Sequence, residues 1–218
     1  MKFTQKAIVG AIAAATMSAA MVPAVNAEVT ANAGFVTDYY FRGTALGNSA
    51  AYAGADYSAG GFYAGTWWIN DGNGANDGLE NDWYLGYGGE AGSFSYDVSY
   101  VNYQYTYADN WEHELALNLG VAGFSLGLVA GDAEPGVDDV DAVGYNVYTL
   151  GYEVSFFSAT VGQWENDDDG EYQWAEISFS GDIVEGVSAS LTMGAKAEDD
   201  VDNDGYMFLD ISKSFDLM

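Results

Sequence analysis

The only histidine of the chain, His113, lies between two glutamates in the run Glu112-His113-Glu114. A hydrolase would need this imidazole on the same face as an acid or a nucleophile, within hydrogen-bond reach. Residues of a strand alternate between its two faces, so His113 shares its face with Leu115 and Leu117, whereas both glutamates point to the other side. We therefore expect an interfacial histidine rather than a catalytic one, and a protein that is not an enzyme.

Acidic clusters suggest a second kind of chemistry, the binding of divalent cations. The run from Asp200 to Gly205 begins like a calcium-binding EF-hand loop, but its twelfth position is Ile211, where a bidentate glutamate is needed. Two further clusters, Asp138 to Asp141 and Asp167 to Asp169, lack the periodic spacing of metal ligands. We expect no metal site and no cofactor. The clusters predict a solvated acidic rim, with weak divalent-cation association as the alternative.

Charged residues and glycines recur on one face of the alternating segments. We expect this face to line the interior of a barrel, where a charge is tolerated only beside water or an opposite charge. Glycines such as Gly54, Gly86, Gly127 and Gly194 would leave that interior open to water. A solute-selecting role and structural pairing, for example of Arg42 with Asp38, are both open for the charges. The pore-lining candidates are Asp38, Arg42, Asp56, Asp97, Glu112, Glu114, Glu176, Lys196 and Asp210.

The balance of charge restricts the partners and the class of protein. The 218 residues include 33 acidic and 5 basic side chains, a net charge of −28 at pH 7, which excludes nucleic acid as a partner. Hydrophobic residues make up 49% of the chain and aromatic residues 16%, too much for a disordered acidic protein. The sequence has no cysteine, which excludes a disulfide scaffold and any thiolate site.

The beginning of the chain has the features of a secretory signal peptide. Two lysines precede a small, apolar stretch over residues 7–20, and Val25-Asn26-Ala27 is a small-residue cleavage site. An uncleaved membrane anchor is the less favoured alternative, because the stretch is rich in alanine and a proline interrupts it. We predict a signal peptide at 1–27 and a single exported barrel domain at 28–218, located in the outer membrane.

From Glu28 onward, apolar and polar residues alternate in segments of about ten residues, the length of a membrane-crossing strand. The segments begin near Val29, Ala50, Phe62, Asn81, Phe94, Trp111, Phe124, Tyr145, Phe156, Glu171, Val187 and Tyr206. Short turns alternate with longer acidic loops, which is typical of an up-and-down barrel with both termini on the periplasmic side and not of a Greek-key sandwich. We predict an all-β, transmembrane up-and-down antiparallel β-barrel of about twelve strands.

Three details of this pattern are open to test. The alternation of the first segment continues to Phe41 and Arg42, which predicts one long first strand. The connection from Gly181 to Gly186 is intermediate in length. A slip in phase between Tyr100 and Val101 indicates a possible bulge.

All six tryptophans lie near the ends of the longer loops: Trp67, Trp68, Trp83, Trp111, Trp164 and Trp174. Amphipathic rings settle at the headgroup level of a bilayer, so we predict that these six form an aromatic belt. The alternative is a platform of Trp67, Trp68 and Trp83 that stacks on sugars in a soluble periplasmic protein. The belt is favoured because it accounts for the whole set.

Six runs of residues have the form found in one known family. They are Thr37-Asp38-Tyr39-Tyr40-Phe41-Arg42-Gly43, Gly61-Phe62-Tyr63-Ala64-Gly65-Thr66-Trp67, Glu80-Asn81-Asp82-Trp83-Tyr84-Leu85-Gly86-Tyr87, Tyr96-Asp97, Tyr100-Val101-Asn102-Tyr103-Gln104-Tyr105 and Ser212-Lys213-Ser214-Phe215. These runs resemble the TorF-type porin family of Gram-negative outer membranes. The resemblance implies an outer-membrane barrel with a pore.

We predict an outer-membrane porin-like channel for the passive passage of small solutes, with a preference for cations because acids outnumber bases on the predicted inner face. The alternatives are a non-conducting structural or surface-adhesive barrel and a soluble periplasmic all-β binding protein. The expected partners are outer-membrane lipid and lipopolysaccharide, small solutes or cations, and divalent cations held weakly by the acidic loops.

Overall fold

The computed structural model describes residues 27–71, 78–106, 110–135, 141–198 and 205–218. All but the last residue of the predicted signal peptide therefore lies outside the described residues. Within the described part of the chain, no helix has the length and apolar character needed to cross a membrane.

Antiparallel strands form a closed barrel in which twelve strands follow one another in chain order, and the last strand pairs with the first. The predicted all-β, up-and-down architecture is confirmed. A separate two-stranded hairpin, β2–β3, lies between the first two barrel strands. The strands are β1 (Glu28–Val36), β2 (Tyr39–Phe41), β3 (Thr44–Gly47), β4 (Ala50–Ala59), β5 (Phe62–Asp71), β6 (Gly78–Ala91), β7 (Phe94–Tyr105), β8 (Trp111–Val121), β9 (Phe124–Glu134), β10 (Val143–Val154), β11 (Phe157–Asn166), β12 (Glu171–Val184), β13 (Val187–Glu198) and β14 (Gly205–Asp216).

The two ends of the barrel differ in their connections. At one end, five turns of two residues each join β4 to β5, β6 to β7, β8 to β9, β10 to β11 and β12 to β13. Gly60 and Gly61 both have positive φ, 60° and 89°, the backbone of the tight turn that matches the twist of a hairpin. The longer connections lie at the other end. We call these the turn end and the loop end.

The first strand is shorter than the alternation predicts. Barrel strand β1 ends at Val36, which pairs with Asp210 of β14, and the hydroxyl of Thr37 accepts a hydrogen bond from the Leu209 amide at 3.0 Å. The chain then bends at Thr37 and Asp38, and the following residues leave the wall as hairpin β2–β3. The prediction of a strand that continues to Phe41 is therefore wrong, because tertiary contacts of the hairpin replace pairing in the wall.

Two smaller expectations also change. Strand β12 continues to Val184 through an irregularity between Asp182 and Val184, so the connection to β13 is a two-residue turn rather than an intermediate loop. Strand β7 keeps one register with both neighbours across Tyr100 and Val101, so no bulge occurs there. Val101 faces the interior and is buried, whereas Tyr100 faces outward.

The outer wall is apolar along the middle of the strands. On β8, Leu115 and Val121 are 59% and 50% exposed, whereas Glu114 on the opposite face is 2% exposed. Exposed Phe35, Leu85 and Leu150 extend the same apolar surface to other strands. A surface of this kind fits contact with lipid and does not fit a soluble binding domain.

Substitution of Leu117 by arginine tests the assignment of faces. Leu117 is paired in register with Val98 and Leu128, and a charge at this level of a lipid-facing wall costs about 2–4 kcal/mol. Arginine at the inward position Asn118, whose register partner is Asp97, is expected to cost much less. The free energy of unfolding of both variants can be measured by denaturant titration in detergent or lipid vesicles. Equal losses would contradict the assignment.

Candidate functional site

Hairpin β2–β3 lies inside the barrel lumen. The Tyr39 hydroxyl donates a hydrogen bond to Glu80 of β6 at 2.9 Å, and the Tyr40 ring stacks on Tyr206 of β14 with 4.2 Å between ring centroids. Arg42 reaches Glu114 of β8. Because these partners belong to strands on different sides of the barrel, the hairpin spans the lumen rather than lying over its mouth.

Burial raises the pKa of the Tyr39 hydroxyl well above its ordinary value, and the neighbouring carboxylates of Glu80 and Asp82 add to the effect. The hydroxyl therefore stays protonated and acts as the donor to Glu80. This contact fixes the first strand of the hairpin to the wall.

Arg42 and Glu114 form the strongest polar contact between the hairpin and the wall. The two guanidinium nitrogens donate to the two carboxylate oxygens at 2.5 and 2.9 Å. Glu114 also accepts hydrogen bonds from the hydroxyls of Tyr103 at 3.1 Å and Tyr145 at 2.9 Å. A buried ion pair is tolerated when the geometry is bidentate and the remaining lone pairs are satisfied, as here.

The tip of the hairpin fits against the wall only with glycine at position 43. Arg42 and Gly43 have φ values of 50° and 79°, in the left-handed region that side chains with a Cβ rarely adopt. A Cβ on Gly43 would lie 2.7 Å from the Cβ of Trp174 on β12. The tip therefore contacts β12 while the Arg42 side chain reaches Glu114 on β8, four strands away around the barrel.

Tyrosines hold most of the other lumen carboxylates by one repeated arrangement. Each tyrosine lies across a glycine that is its register partner on the neighbouring strand, and its hydroxyl donates to a carboxylate one strand further on. The sets, each in the order tyrosine, glycine and acid, are Tyr52, Gly34 and Asp210; Tyr63, Gly86 and Asp97; Tyr84, Gly65 and Asp56; Tyr206, Gly194 and Glu176; and Tyr145, Gly131 and Glu114.

These glycines do not leave the interior open to water, as the sequence predicts for Gly86 and Gly194. A Cβ at either position would overlap the ring of Tyr63 or Tyr206. The space without a side chain is instead filled by a ring from the next strand. Gly162 leaves space for the ring of its register partner Trp174 in the same way.

The lumen has more acidic than basic side chains, and not all carboxylate oxygens are used in these contacts. Asp56, Asp82 and Asp97 each have one buried carboxylate oxygen without a hydrogen-bond partner among the described residues. Unpartnered carboxylate oxygens in a buried wall favour water or a cation beside them. The described lumen carboxylates are Asp56, Glu80, Asp82, Asp97, Glu112, Glu114, Glu176 and Asp210.

The predicted pore-lining residues fall into two groups. Asp56, Asp97, Glu112, Glu114, Glu176, Lys196 and Asp210 lie on the inner face of barrel strands. Lys196 is near the loop end, with its ammonium 2.8 Å from Glu198 and 4.0 Å from the centroid of the Tyr172 ring. Asp38 and Arg42 are not on a wall strand: Asp38 lies in the bend before the hairpin and Arg42 at the hairpin tip. Arg42 forms its ion pair with Glu114 and not with Asp38, the example given from the sequence.

The six tryptophans do not form one belt. Trp68, Trp83 and Trp111 face outward near the loop end and are 40–43% exposed. Trp67 and Trp174 are buried inside the barrel, and Trp164 packs inward against Tyr145. The belt prediction is wrong for these three because it used their position along the strand and not their face. Trp67 and Trp68 are adjacent, so alternation places them on opposite sides of the wall.

The reasoning from sequence missed Glu80, Asp82 and the tyrosines. Both lie at the start of the segment predicted to begin near Asn81, but β6 begins at Gly78 and places both on its inner face. Tyrosine opposite glycine at one level of two neighbouring strands is a signal that could have been found once the strand register was drawn.

Histidine and metal chemistry receive no support from the arrangement. His113 faces outward, and its Nε2 is 3.4 Å from a carboxylate oxygen of Asp132. Among the described residues, no group of three or more potential ligands is placed to hold a metal ion. The acidic run 200–204 and most of 138–141 lie outside the described residues.

A family model described as "Bacterial protein of unknown function (Gcw_chp)" matches residues 20–162. The chain belongs to the Gcw_chp family. The description of this family names no activity, and the resemblance to TorF-type porins stays a prediction. No curated protein sequence is significantly similar to the chain.

Several solved structures have a similar fold. The COG4313 outer membrane channel from Pseudomonas putida F1 is 10% identical, with a TM-score of 0.52 and coverage of 89% of this chain and 97% of that chain. A structure from a study of the in-meso crystallization of membrane proteins is 8% identical, with a TM-score of 0.57 and coverage of 87% and 84%. OccAB4 from Acinetobacter baumannii is 10% identical, with a TM-score of 0.47 and coverage of 87% and 62%.

The lengths of these proteins differ. The chain spans 62% of OccAB4 and 57% of OccK9 from Pseudomonas aeruginosa, but nearly the whole COG4313 channel. At these identities the likeness to the COG4313 channel and to the structure from the crystallization study shows a shared barrel fold alone.

Substitution of Gly86 by alanine tests the packing of tyrosine across glycine. The new methyl group would overlap the Tyr63 ring, so we expect a loss of about 1–3 kcal/mol in the free energy of unfolding, as for other overpacked sites. Gly181→Ala is the matched control, because a Cβ there meets nothing within 4 Å. In a Tyr63→Ala background, where no ring is left to overlap, the added cost of Gly86→Ala should be much smaller than in the unmodified protein. A loss at Gly181 equal to that at Gly86 would contradict the role of the ring.

Proposed function

We propose that this protein is an outer-membrane channel for small solutes with a preference for cations, and that hairpin β2–β3 forms its constriction. The observation that carries the proposal is the hairpin held inside a lumen whose described wall bears eight carboxylates besides the ion pair of Lys196 and Glu198. Arg42 adds one positive charge at the hairpin tip, but Glu114 neutralises it.

The placement in the outer membrane has separate support. The closed barrel has an apolar outer wall, short turns at one end and acidic loops at the other, which is the form of outer-membrane barrels. The signal peptide predicted at 1–27 provides the route of export. The fold is shared with the COG4313 outer membrane channel. The TorF-type resemblance of the runs around Thr37 and Glu80 is consistent with a porin.

Cation preference follows from the position of the carboxylates. Rings of Asp and Glu favour cations at short range, and charges inside a narrow lumen are screened less by salt than charges in the loops. The free oxygens of Asp56, Asp82 and Asp97 are the groups that a passing cation would meet. Divalent cations at the loop acids remain a weaker part of the same proposal.

A second function, a non-conducting structural barrel, is favoured by a different observation. The rings of Trp67, Trp174 and the tyrosines that cross glycines lie on the inner side of the wall. If these rings and the hairpin close the path completely, the protein would serve as a stable surface scaffold. Conductance separates the two functions.

Replacement of residues 38–48 by a short glycine and serine turn removes the hairpin without removing a barrel strand. Val36 and Ala50 are register partners on β1 and β4, so a short turn can join the two strands. We expect the single-channel conductance in planar bilayers to rise severalfold relative to the unmodified protein, because the constriction is gone.

The control is a variant in which the short turn after β8, Ala122-Gly123, is replaced by Asn-Gly at the other end of the barrel, which should leave conductance unchanged. Equal conductance with and without the hairpin would show that the constriction lies elsewhere. No current through either protein would support the structural barrel.

A further inference from the structure

An outward-facing row of polar and aromatic side chains crosses the wall near the loop end. Trp83, Asn102, His113 and Asp132 are consecutive register partners on β6, β7, β8 and β9. The row two residues nearer the turn end is Leu85, Tyr100, Leu115 and Ala130. The change from apolar to polar between the rows marks the level at which a surrounding bilayer passes from hydrocarbon to headgroup.

A notch of about 440 Å³ opens in this row. The faces of Trp83, Tyr100 and Trp111 and the amides of Asn102, Gln104 and Asn110 line it. It lies on the outside of the barrel, because Trp83 and Trp111 are 40% exposed and their strand neighbours Asp82 and Glu112 face the lumen. Tyr105, whose register partner is the lumen-facing Glu80, also lines the notch at the rim of the barrel.

The notch contains polar atoms that lack partners. Asn102 is only 3% exposed, and its Nδ2 donates to the carbonyl oxygen of Glu112 at 3.2 Å, but its Oδ1 has no hydrogen-bond donor among the described residues. The Oδ1 of Asn110 is also buried and unpartnered. A buried amide oxygen without a donor is costly, most of all in a wall that faces lipid. Both oxygens are therefore available to accept a hydrogen bond from a bound molecule.

The aromatic rings and amides of the notch indicate which kind of molecule could bind there and donate to these oxygens. Sugar rings present hydroxyls, which donate to amide oxygens, and C–H bonds, which pack on the negative face of an aromatic ring. A phosphate group is a poor fit, because none of the described residues that line the notch is Lys or Arg. The adjoining notch of about 380 Å³, which shares Tyr100, includes the acids Asp132 and Asp167.

We propose that this notch binds the sugar part of a glycolipid headgroup in the outer leaflet. The occupant is a membrane lipid rather than a free sugar, because the notch opens sideways at headgroup level, directly above the apolar row of Leu85 and Leu115 where an acyl chain would lie. The inference rests on the membrane location in the proposed function and names a partner for the outer wall.

Native mass spectrometry of the full-length folded barrel in a non-glycosidic detergent tests the proposal. The probes are dephosphorylated lipid A, which is an acylated glucosamine disaccharide without charged groups, phosphorylated lipid A, phosphatidylethanolamine, and free glucosamine disaccharide. Lipid A below means the dephosphorylated form, and the phosphorylated form should bind no more tightly. We expect lipid A to be retained, phosphatidylethanolamine to dissociate, and the free disaccharide to bind more weakly than lipid A.

Two variants remove the proposed contacts. Asn102→Ala and Trp111→Leu should each weaken lipid A binding by about tenfold, the effect of one lost hydrogen bond or aromatic contact. Because Trp111 is exposed, Trp111→Leu should fold normally, and it tests the site even if Asn102→Ala fails to fold. The matched control is Tyr87→Leu, an outward aromatic on β6 that is 52% exposed and does not line the notch.

Unchanged lipid A binding in both variants, or equal retention of phosphatidylethanolamine, would overturn the inference. Channel conductance is measured separately on the same proteins. Absence of lipid A specificity in the unmodified protein, together with normal conductance, would refute the glycolipid site alone, whereas failure of the unmodified protein to enter bilayers would refute the proposed function.

Discussion

Carboxylates inside a narrow β-barrel need hydrogen-bond donors or water, because a buried charge without a partner destabilises the fold by several kcal/mol. This chain meets that requirement mainly with tyrosine, since Arg42 and Lys196 are the basic residues described in its lumen. A tyrosine hydroxyl reaches an acid two strands away only if no side chain stands between them. The glycines at Gly34, Gly65 and Gly86 provide that free space.

The same requirement explains the position of the hairpin. Glu114 lies among three donors, the hydroxyls of Tyr103 and Tyr145 and the guanidinium of Arg42, and is almost fully buried. Removal of Arg42 alone would leave a buried charge with less compensation, which is more harmful than removal of both partners. The contact between Arg42 and Glu114 therefore links the stability of the wall to the position of the hairpin inside the lumen. If the hairpin moved out of the lumen, both charged groups would have to exchange this contact for water.

The alternation of residues predicted the barrel and the faces of its strands, because each strand face follows directly from a period of two. It placed Asp56, Asp97 and Glu114 on the inner face without knowledge of the register. It failed at β2, where Tyr39 and Phe41 continue the period of a wall strand. The turn of the chain into the lumen depends on partners such as Glu80 and Glu114, which are distant in sequence and become neighbours only when the barrel closes.

The glycines illustrate a second limit. Gly86 and Gly194 could open the lumen or seat a ring, and the pattern of one strand does not distinguish these roles. The outcome depends on the residue at the same level of the next strand, Tyr63 or Tyr206, and so on register. For Trp67 and Trp68 the register was not needed, because adjacent residues of a strand always face opposite sides of the wall.

The central claim is that the interior of this barrel is a path for cations bounded by carboxylates. The reversal potential of the unmodified protein in a planar bilayer under a KCl gradient tests it most directly. The account predicts a potential that favours K⁺ and that is reduced but still present at high salt, because lumen charges are screened less than loop charges. A potential that favours Cl⁻ would contradict it and would show that Arg42 and Lys196, not the acids, control passage.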